Sequence, residues 1–190
     1  GHLFACEEDG VVPDIITIAK GLGAGYQPIG ATLCTDKIYD VIVNGSGFFQ
    51  HGHTYIGHAT ACAASLAVQK TIQEQNLLAN VLQRGEQLRN ELRQAFSGNG
   101  HIGDIRGRGL FVGIELVQDR ESKKPLDPAL KTHARIKAQA KENGLLVYPM
   151  GGTIDGRLGD HILLAPPFIC TEADISDIVS RLNDTVSQVL

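Results

Sequence analysis

The sequence predicts an α/β protein, and three patterns lead to that fold class. A β-branched, apolar run at 14–19 precedes a group of glycines and predicts a buried strand that ends near Lys20. An alanine-rich stretch at 59–75 contains no Gly or Pro and predicts one long helix. Apolar residues recur at helical spacing over 77–96, opposite a charged face, and predict a second helix. Strand and helix patterns therefore occur in one chain.

The other elements follow in chain order. They are a strand at 28–34, a short helix at 37–43, a strand at 110–117, a helix that ends at 143–144, two strands at 145–148 and 161–165, and a C-terminal helix. The C-terminal helix opens with Thr171-Glu172-Ala173-Asp174, which is a capping-box pattern. Its apolar residues, Ile175, Ile178, Val179, Leu182 and Val186, share one helical face.

The elements divide the chain into unequal parts. Residues 77–190 have the strand and helix content of a compact α+β unit. Residues 1–56 contain too few elements to close a core alone, and a helix at 57–76 connects the two parts. We therefore expect a larger domain upstream of these residues.

Composition and charge exclude several function classes. The 17 basic and 21 acidic side chains give a net charge of -4, which argues against a protein that binds nucleic acid through its phosphates. No apolar run approaches the length that spans a bilayer, and the first residues lack the pattern of a signal peptide. The expectation is a soluble, cytoplasmic protein without a nucleic-acid or membrane partner.

The four cysteines predict no zinc ribbon and no disulfide framework. They are far apart and form no C-x-x-C pair. We expect them to be reduced and buried; they are Cys6, Cys34, Cys62 and Cys170.

Lys20 is the first candidate for chemistry. It ends a predicted strand and precedes Gly21-Leu22-Gly23-Ala24-Gly25, so we expect it to be half-buried. A desolvated lysine is more readily neutral and able to attack a carbonyl, which is how Schiff-base lysines are activated. The alternative is a surface lysine beside a glycine turn, and spacing alone favours that alternative. A phosphate loop is a weak interpretation, because the glycines follow the lysine instead of preceding it.

The stretch at 12–31, VPDIITIAKGLGAGYQPIGA, resembles the signature of class III aminotransferases. The resemblance continues through 52–58, 106–116 and 165–169 and so covers the chain in order. It implies the C-terminal part of a fold type I pyridoxal-phosphate transferase. Residues 1–56 would then belong to the large cofactor-binding domain, 57–76 would be the connecting helix, and 77–190 would form the small α+β domain.

The resemblance also implies roles for four residues. Lys20 would hold pyridoxal 5'-phosphate as an internal aldimine and move the proton between the substrate α-carbon and the cofactor. Thr54 would reach the cofactor phosphate bound by the other subunit of a homodimer with shared active sites. Arg157 would bind a substrate carboxylate, and the glycines around it predict a mobile loop. Tyr26 would border the substrate pocket.

Two of these residues have ordinary structural alternatives. Thr54 could instead cap the helix that begins near Gly57. Arg157 could be an exposed arginine in a polar turn.

Other polar residues are assigned no chemistry. His51, His53 and His58 lie close together, but no acidic or cysteine ligand accompanies them, and the sequence predicts no metal site. Arg106 and Arg108 flank a glycine before a strand, and a structural role is favoured for both.

The function that the resemblance implies is transfer of an amino group from an amino acid or amine to a 2-oxo acid such as pyruvate. The alternatives are another pyridoxal-phosphate reaction on the same fold, namely a decarboxylase or aminomutase, or a non-catalytic fragment. In the family, the carboxylate, phosphate loop and stacking aromatic that hold the cofactor precede the segment of Lys20. Residues 1–190 alone are therefore expected to have negligible activity.

Overall fold

The computed structural model describes residues 1–190 and contains five α-helices and six strands. In chain order they are β1 (Ile15–Ala19), β2 (Gly30–Cys34), α1 (Asp36–Asn44), α2 (Ala59–Glu74), α3 (Leu77–Ala95), β3 (Ile102–Arg108), β4 (Phe111–Leu116), α4 (Thr132–Glu142), β5 (Tyr148–Gly151), β6 (Asp160–Leu164) and α5 (Glu172–Val189). The chain forms two compact units, His2–Leu78 and Ala79–Leu190, and residue 1 groups with the second. None of the helices combines the length and the apolar character needed to cross a membrane.

The unit His2–Leu78 contains a two-stranded antiparallel sheet. β1 pairs with β2 in a register that runs from Ile15 opposite Cys34 to Ala19 opposite Gly30. The prediction that β1 is buried is wrong, because its residues are exposed or half-buried and those of β2 are all exposed. Within this unit α2 packs against the turn that follows β1. An apolar pattern predicts that a segment is a strand, but other elements decide whether its faces are covered.

The unit Ala79–Leu190 is built on a four-stranded antiparallel sheet in the order β3-β4-β6-β5. Its core combines side chains of β4 and β6 with side chains of α3, α4 and α5. The fully buried large side chains are Phe96, Leu88, Leu92, Ile114, Leu116, Ile136, Ile162, Ile175, Leu182, Val112, Val117 and Val186. The capping box at α5 is confirmed: the Thr171 hydroxyl accepts from the Asp174 N–H at 3.2 Å, and Thr171 N–H donates to the Asp174 carboxylate at 2.8 Å.

Strand β3 has no counterpart in the sequence prediction, which placed a single strand at 110–117. β3 contains two glycines and three charged residues, a composition typical of a loop. Pairing with β4 makes it a strand, and a register shift between Ile102 and Asp104 marks a bulge. Ile102 is buried and Ile105 is half-buried, which are the only apolar side chains that the strand contributes.

Strand β5 lies at Tyr148–Gly151, so the prediction of a strand at 145–148 is displaced. Leu145 instead lies just after α4, and its N–H donates back to the Ala140 carbonyl of that helix at 2.8 Å. Pro149 lies within this strand. β5 is an edge strand, however, and edge strands tolerate proline because one of their sides needs no ladder hydrogen bonds.

The cysteines are all free, but the prediction that they are buried holds only for Cys170. Cys34 and Cys62 are exposed and Cys6 is intermediate. Burial raises the pKa of the Cys170 thiol, and the nearby Asp174 carboxylate adds to that rise. Cys34 is on β2 and Cys62 is on α2, two elements whose residues are mostly exposed.

Gly85 in α3 packs directly against the backbone of Gly109, in the turn between β3 and β4. We expect Gly85→Ala to destabilise the protein, although alanine is favoured over glycine inside a helix by about 1 kcal/mol. A Cβ at this position would overlap the Gly109 carbonyl, and that carbonyl is also held by a hydrogen bond from Arg89 Nη1 at 3.0 Å. The expected loss is about 1–3 kcal/mol in the free energy of unfolding by chemical denaturation.

Gly98→Ala is the matched control for that measurement. A Cβ at Gly98 would meet nothing within 4 Å. Its effect should stay within about 0.5 kcal/mol. A Gly85→Ala protein as stable as the parent would mean that α3 and this turn separate more easily than their packing indicates.

Candidate functional site

Lys20 lies where the chain leaves β1, and its backbone is strained. It begins a 3-10 turn, Lys20–Gly23, directly after the extended residue Ala19. Lys20 itself has φ 51°, and Ala24 at the end of the turn has φ 48°. Each such non-glycine residue costs about 1–3 kcal/mol and persists only where its surroundings enforce the conformation, and such residues concentrate at functional sites. Lys123 and Lys131 have similar values, φ 57° and 48°, so the strain supports Lys20 as a candidate for chemistry only together with its place after β1.

Two side chains of α2 hold the turn that Lys20 begins. The Ser65 hydroxyl donates to the Leu22 carbonyl at 2.8 Å, and the Gln69 amide donates to the same oxygen at 3.0 Å. Net contributions of about 1 kcal/mol for each hydrogen bond are of the size needed to offset strain at Lys20. Neither side chain was selected from the sequence.

The side chain of Lys20 is exposed, and the expectation of half-burial is wrong for this chain. Gly21, within the turn, and Gly25, shortly after it, have open space where a Cβ would stand. The Lys20 amine makes no hydrogen bond or ion pair. No side chain of residues 1–190 therefore competes for this amine.

Tyr26 follows the same turn and is also exposed. Its N–H donates to the Gly23 carbonyl at 2.9 Å, which ties it to the end of the 3-10 turn. Its residue is 76% exposed, so the ring has no packing that fixes it. Lys20 and Tyr26 therefore stand on one short, hydrogen-bonded segment.

Thr54 lies in the loop before α2 and is exposed. The alternative that it caps this helix is wrong, because the N-cap is His58, whose Nδ1 accepts from the Ala61 N–H at 3.3 Å. The Thr54 hydroxyl has no hydrogen-bond partner and is available to a ligand. Lys20, Tyr26 and Thr54 share no hydrogen bond with one another.

The three histidines of this loop make ring contacts and a helix cap. The rings of His51 and His53 are 5.3 Å apart in an edge-to-face arrangement, and Phe49 packs in the same way on His51. The ring of His58 is used in the cap. No group of three His, Cys, Asp or Glu side chains in residues 1–190 is placed to hold a metal ion.

Arg157 lies in the second unit, in the loop at 152–159 between β5 and β6. Its side chain is exposed, while its backbone is held: the Asp155 carboxylate accepts from the N–H of Arg157 at 2.9 Å and of Leu158 at 2.7 Å. Three backbone hydrogen bonds close the loop, from Thr153 to Gly159, from Ile154 to Leu158 and from Gly156 to Gly152. At its base, buried Asp160 lies 2.7 Å from His133 Nδ1. The backbone of this loop is therefore ordered around Arg157.

Arg106 belongs to an ion-pair cluster on the sheet. Its Nη1 lies 2.8 Å from the Asp104 carboxylate and 3.8 Å from that of Glu115 on the neighbouring strand. The hydrogen bond from Arg106 lowers the pKa of Asp104. These contacts support the structural role that the sequence favoured for Arg106.

Asp155 is expected to order the loop only while it is ionised. The hydrogen bonds from Leu158 and Arg157 N–H lower the pKa of this exposed carboxyl below its usual value. Such a lowered pKa means that the stabilisation is fully present above the usual aspartate pKa and disappears as pH falls through the lowered one. The amide chemical shifts of Arg157 and Leu158 in an NMR titration should follow that low midpoint.

The amide shifts should lose this transition in Asp155→Ala. Asp9→Ala, which removes another exposed acidic side chain, should leave it unchanged. A midpoint at or above the usual aspartate pKa would contradict the hydrogen-bonding arrangement.

Comparison with known proteins decides the family. The family model described as aminotransferase class-III matches residues 1–186. The chain belongs to the class III aminotransferases. The resemblance seen in the sequence is confirmed. The mixture of helices and strands is consistent with part of a fold type I transferase.

Individual class III relatives agree with that assignment. An aminotransferase of Gibberella zeae is 42% identical over 187 residues, which cover 98% of this chain and 37% of the relative. A diaminobutyrate–2-oxoglutarate transaminase of Halomonas elongata is 34% identical over 100% of this chain and 40% of its own length. The structure of an amine transaminase from an uncultivated Pseudomonas species, in its PLP-bound internal aldimine form, matches with a TM-score of 0.84 and 38% identity over 97% of this chain and 40% of that one. The chain thus spans about two fifths of these class III proteins.

Proposed function

We propose that this chain is the C-terminal part of a pyridoxal-phosphate-dependent transaminase that moves an amino group from an amino acid or amine to a 2-oxo acid such as pyruvate. The observation that carries the proposal is Lys20, an exposed amine without a partner on a strained turn, in a chain of the class III aminotransferase family. The chain covers only about 40% of its relatives, so the proposed activity belongs to a longer protein.

The residues present fit pyridoxal 5'-phosphate in part. The class III aminotransferases depend on this cofactor, which, when bound, provides an electron sink for the pair left on the substrate α-carbon. The Lys20 amine suits the cofactor aldehyde, and a hydroxyl such as that of Thr54 suits a phosphate oxygen. We propose that Lys20 Nζ holds the cofactor and, once released by the substrate, takes the α-proton and returns it.

Substrate contacts are proposed for Arg157 and Tyr26. A guanidinium binds a carboxylate through two parallel hydrogen bonds, and the side chain of Arg157 is exposed on an ordered loop. The exposed Tyr26 ring follows the Lys20 turn and would border the pocket. The Arg157 assignment favours a substrate that carries a carboxylate beside its amine or oxo group.

The assembly and the domain roles are part of the same proposal. Residues 1–56 would belong to the large cofactor-binding domain, 57–76 to the connecting helix and 77–190 to the small domain. The Thr54 hydroxyl, exposed and without a partner, would serve the phosphate bound by the other subunit of a homodimer with shared active sites. We propose a cytoplasmic enzyme that uses no metal.

The test is to trap the cofactor on the full-length protein. Pyridoxal phosphate is added, borohydride reduces the C=N bond to a stable C–N bond, and the labelled peptide is identified by mass spectrometry. We expect the label on Lys20. A label absent from Lys20 would overturn the assignment and favour a non-catalytic module.

The reaction type needs a second assay. Alanine formation from pyruvate is measured with a panel of amine donors, and turnover with at least one donor is expected. Release of carbon dioxide, or migration of the amino group within one molecule, without alanine formation would favour a decarboxylase or an aminomutase. Residues 1–190 alone should form negligible alanine.

A further inference from the structure

We infer that Ser65 and Gln69 are positioning residues for Lys20, which act through the carbonyl of Leu22. The inference rests on the proposed role of Lys20. Ser65 and Gln69 need not touch cofactor or substrate. Their task is to hold the turn that sets the direction of the lysine side chain.

The contact joins distant parts of the unit His2–Leu78. Ser65 Oγ lies 2.8 Å and Gln69 Nε2 lies 3.0 Å from the Leu22 oxygen, over sequence separations of 43 and 47 residues. Both donors therefore converge on one acceptor, two residues after Lys20. A carbonyl that accepts two side-chain hydrogen bonds is fixed in direction, because it has two lone pairs and both are used.

The burial pattern of α2 shows that one face of this helix is covered. Only Ala61 and Ser65 are buried in this helix, and Gln69 is half-buried. These positions are four residues apart, so they lie on one face of the helix. Ser65 is 6% exposed and the hydrogen bond to Leu22 satisfies its hydroxyl.

The turn needs such support because its backbone is strained at both ends. Lys20 has φ 51° and Ala24 has φ 48°, with Gly25 at φ 81° directly after. Non-glycine residues leave this region when nothing holds them there. Relaxation at Lys20 would redirect the Cα–Cβ bond and move the amine away from the position that both cofactor attachment and proton transfer require.

The experiment uses the full-length holoenzyme and the double variant Ser65→Ala/Gln69→Leu. The first measurement is the pH midpoint of the visible absorbance of the lysine–cofactor C=N group, which reports the geometry at Lys20 independently of turnover. We expect a shift of about one pH unit. We also expect kcat to fall about tenfold or more while KM for the amino donor changes less than about twofold, since proton transfer depends on alignment and donor binding does not.

Thr71→Ala is the matched control. Thr71 lies on the same helix, and its hydroxyl bonds to the Ala67 carbonyl within the helix at 2.9 Å instead of reaching the turn. This variant should leave the midpoint and kcat unchanged. Ser65→Thr keeps a hydroxyl at the buried position. With Gln69 retained, this variant should have a midpoint and a kcat closer to those of the parent than the double variant has.

Folding is controlled by thermal unfolding of each variant. If the double variant fails to fold, Gln69→Leu alone tests the same contact from its half-buried side and should move the midpoint in the same direction. A folded variant with an unchanged midpoint and kcat would overturn the inference. A borohydride label that is absent from Lys20 in the parent protein would overturn the proposed function instead, so the two failures are distinguishable.

Discussion

Replacing Lys20 by alanine is expected to lower kcat for transamination in the full-length enzyme by at least about 10³-fold. General acid–base catalysis alone contributes about 10²–10⁴-fold, and here the same amine would also hold the cofactor. The amine is exposed on a strained turn and has no other partner, so no contact within the chain substitutes for its role. The steady-state rate of alanine formation measures the loss of turnover, and the borohydride label measures the loss of cofactor attachment.

Lys37→Ala is the comparison for that experiment. Lys37 is another exposed lysine of the same compact unit, on α1. Its loss should change neither the rate nor the label. Substantial turnover in the Lys20→Ala protein would contradict the assignment, because another residue would then have to move the proton.

Phe96→Ala should cost about 3–5 kcal/mol in the free energy of unfolding of the unit that contains it. The side chain is 1% exposed and packs in the core formed by α3, α4, α5 and the four-stranded sheet. Truncation removes buried apolar surface and leaves a cavity that a close-packed core closes only in part. Chemical denaturation followed by circular dichroism measures the loss.

Leu82→Ala provides the control on the neighbouring helix α3. Leu82 is 56% exposed, so its truncation should cost less than about 1 kcal/mol. Equal losses for both substitutions would mean that Phe96 is not in a close-packed core. Unchanged denaturant slopes would confirm that both variants unfold as the parent does.

The helices were predictable because their patterns are local. The expected helix at 59–75 is α2 (Ala59–Glu74), and the apolar stripe at 77–96 is α3 (Leu77–Ala95). Strand β3 was not predictable in this way, since its glycines and charged residues become a strand only by pairing with β4. The exposure of Lys20 was also mispredicted, because burial depends on neighbours that a local pattern does not specify.

In the candidate site, too, residues with a local sequence signal were predictable and residues that act through distant contacts were not. Lys20 and Thr54 stood out through their resemblance to a family signature, and the backbone strain at Lys20 is an independent indication from the structure. Ser65 and Gln69 looked like ordinary polar positions in an alanine-rich helix. Their spacing of four residues was the only local signal, and their shared acceptor, Leu22, lies more than 40 residues earlier.

Pro149 in β5 affects whether the edge of this sheet can pair with a strand of another molecule. Exposed strand edges offer rows of N–H and C=O groups to strands of other molecules, which promotes aggregation. β5 is one edge of the four-stranded sheet, and proline there removes a donor that an incoming strand would need. The opposite edge, β3, has a bulge near its start, between Ile102 and Asp104, and carries three charged residues. Both edges of this sheet are thus poor templates for an added strand.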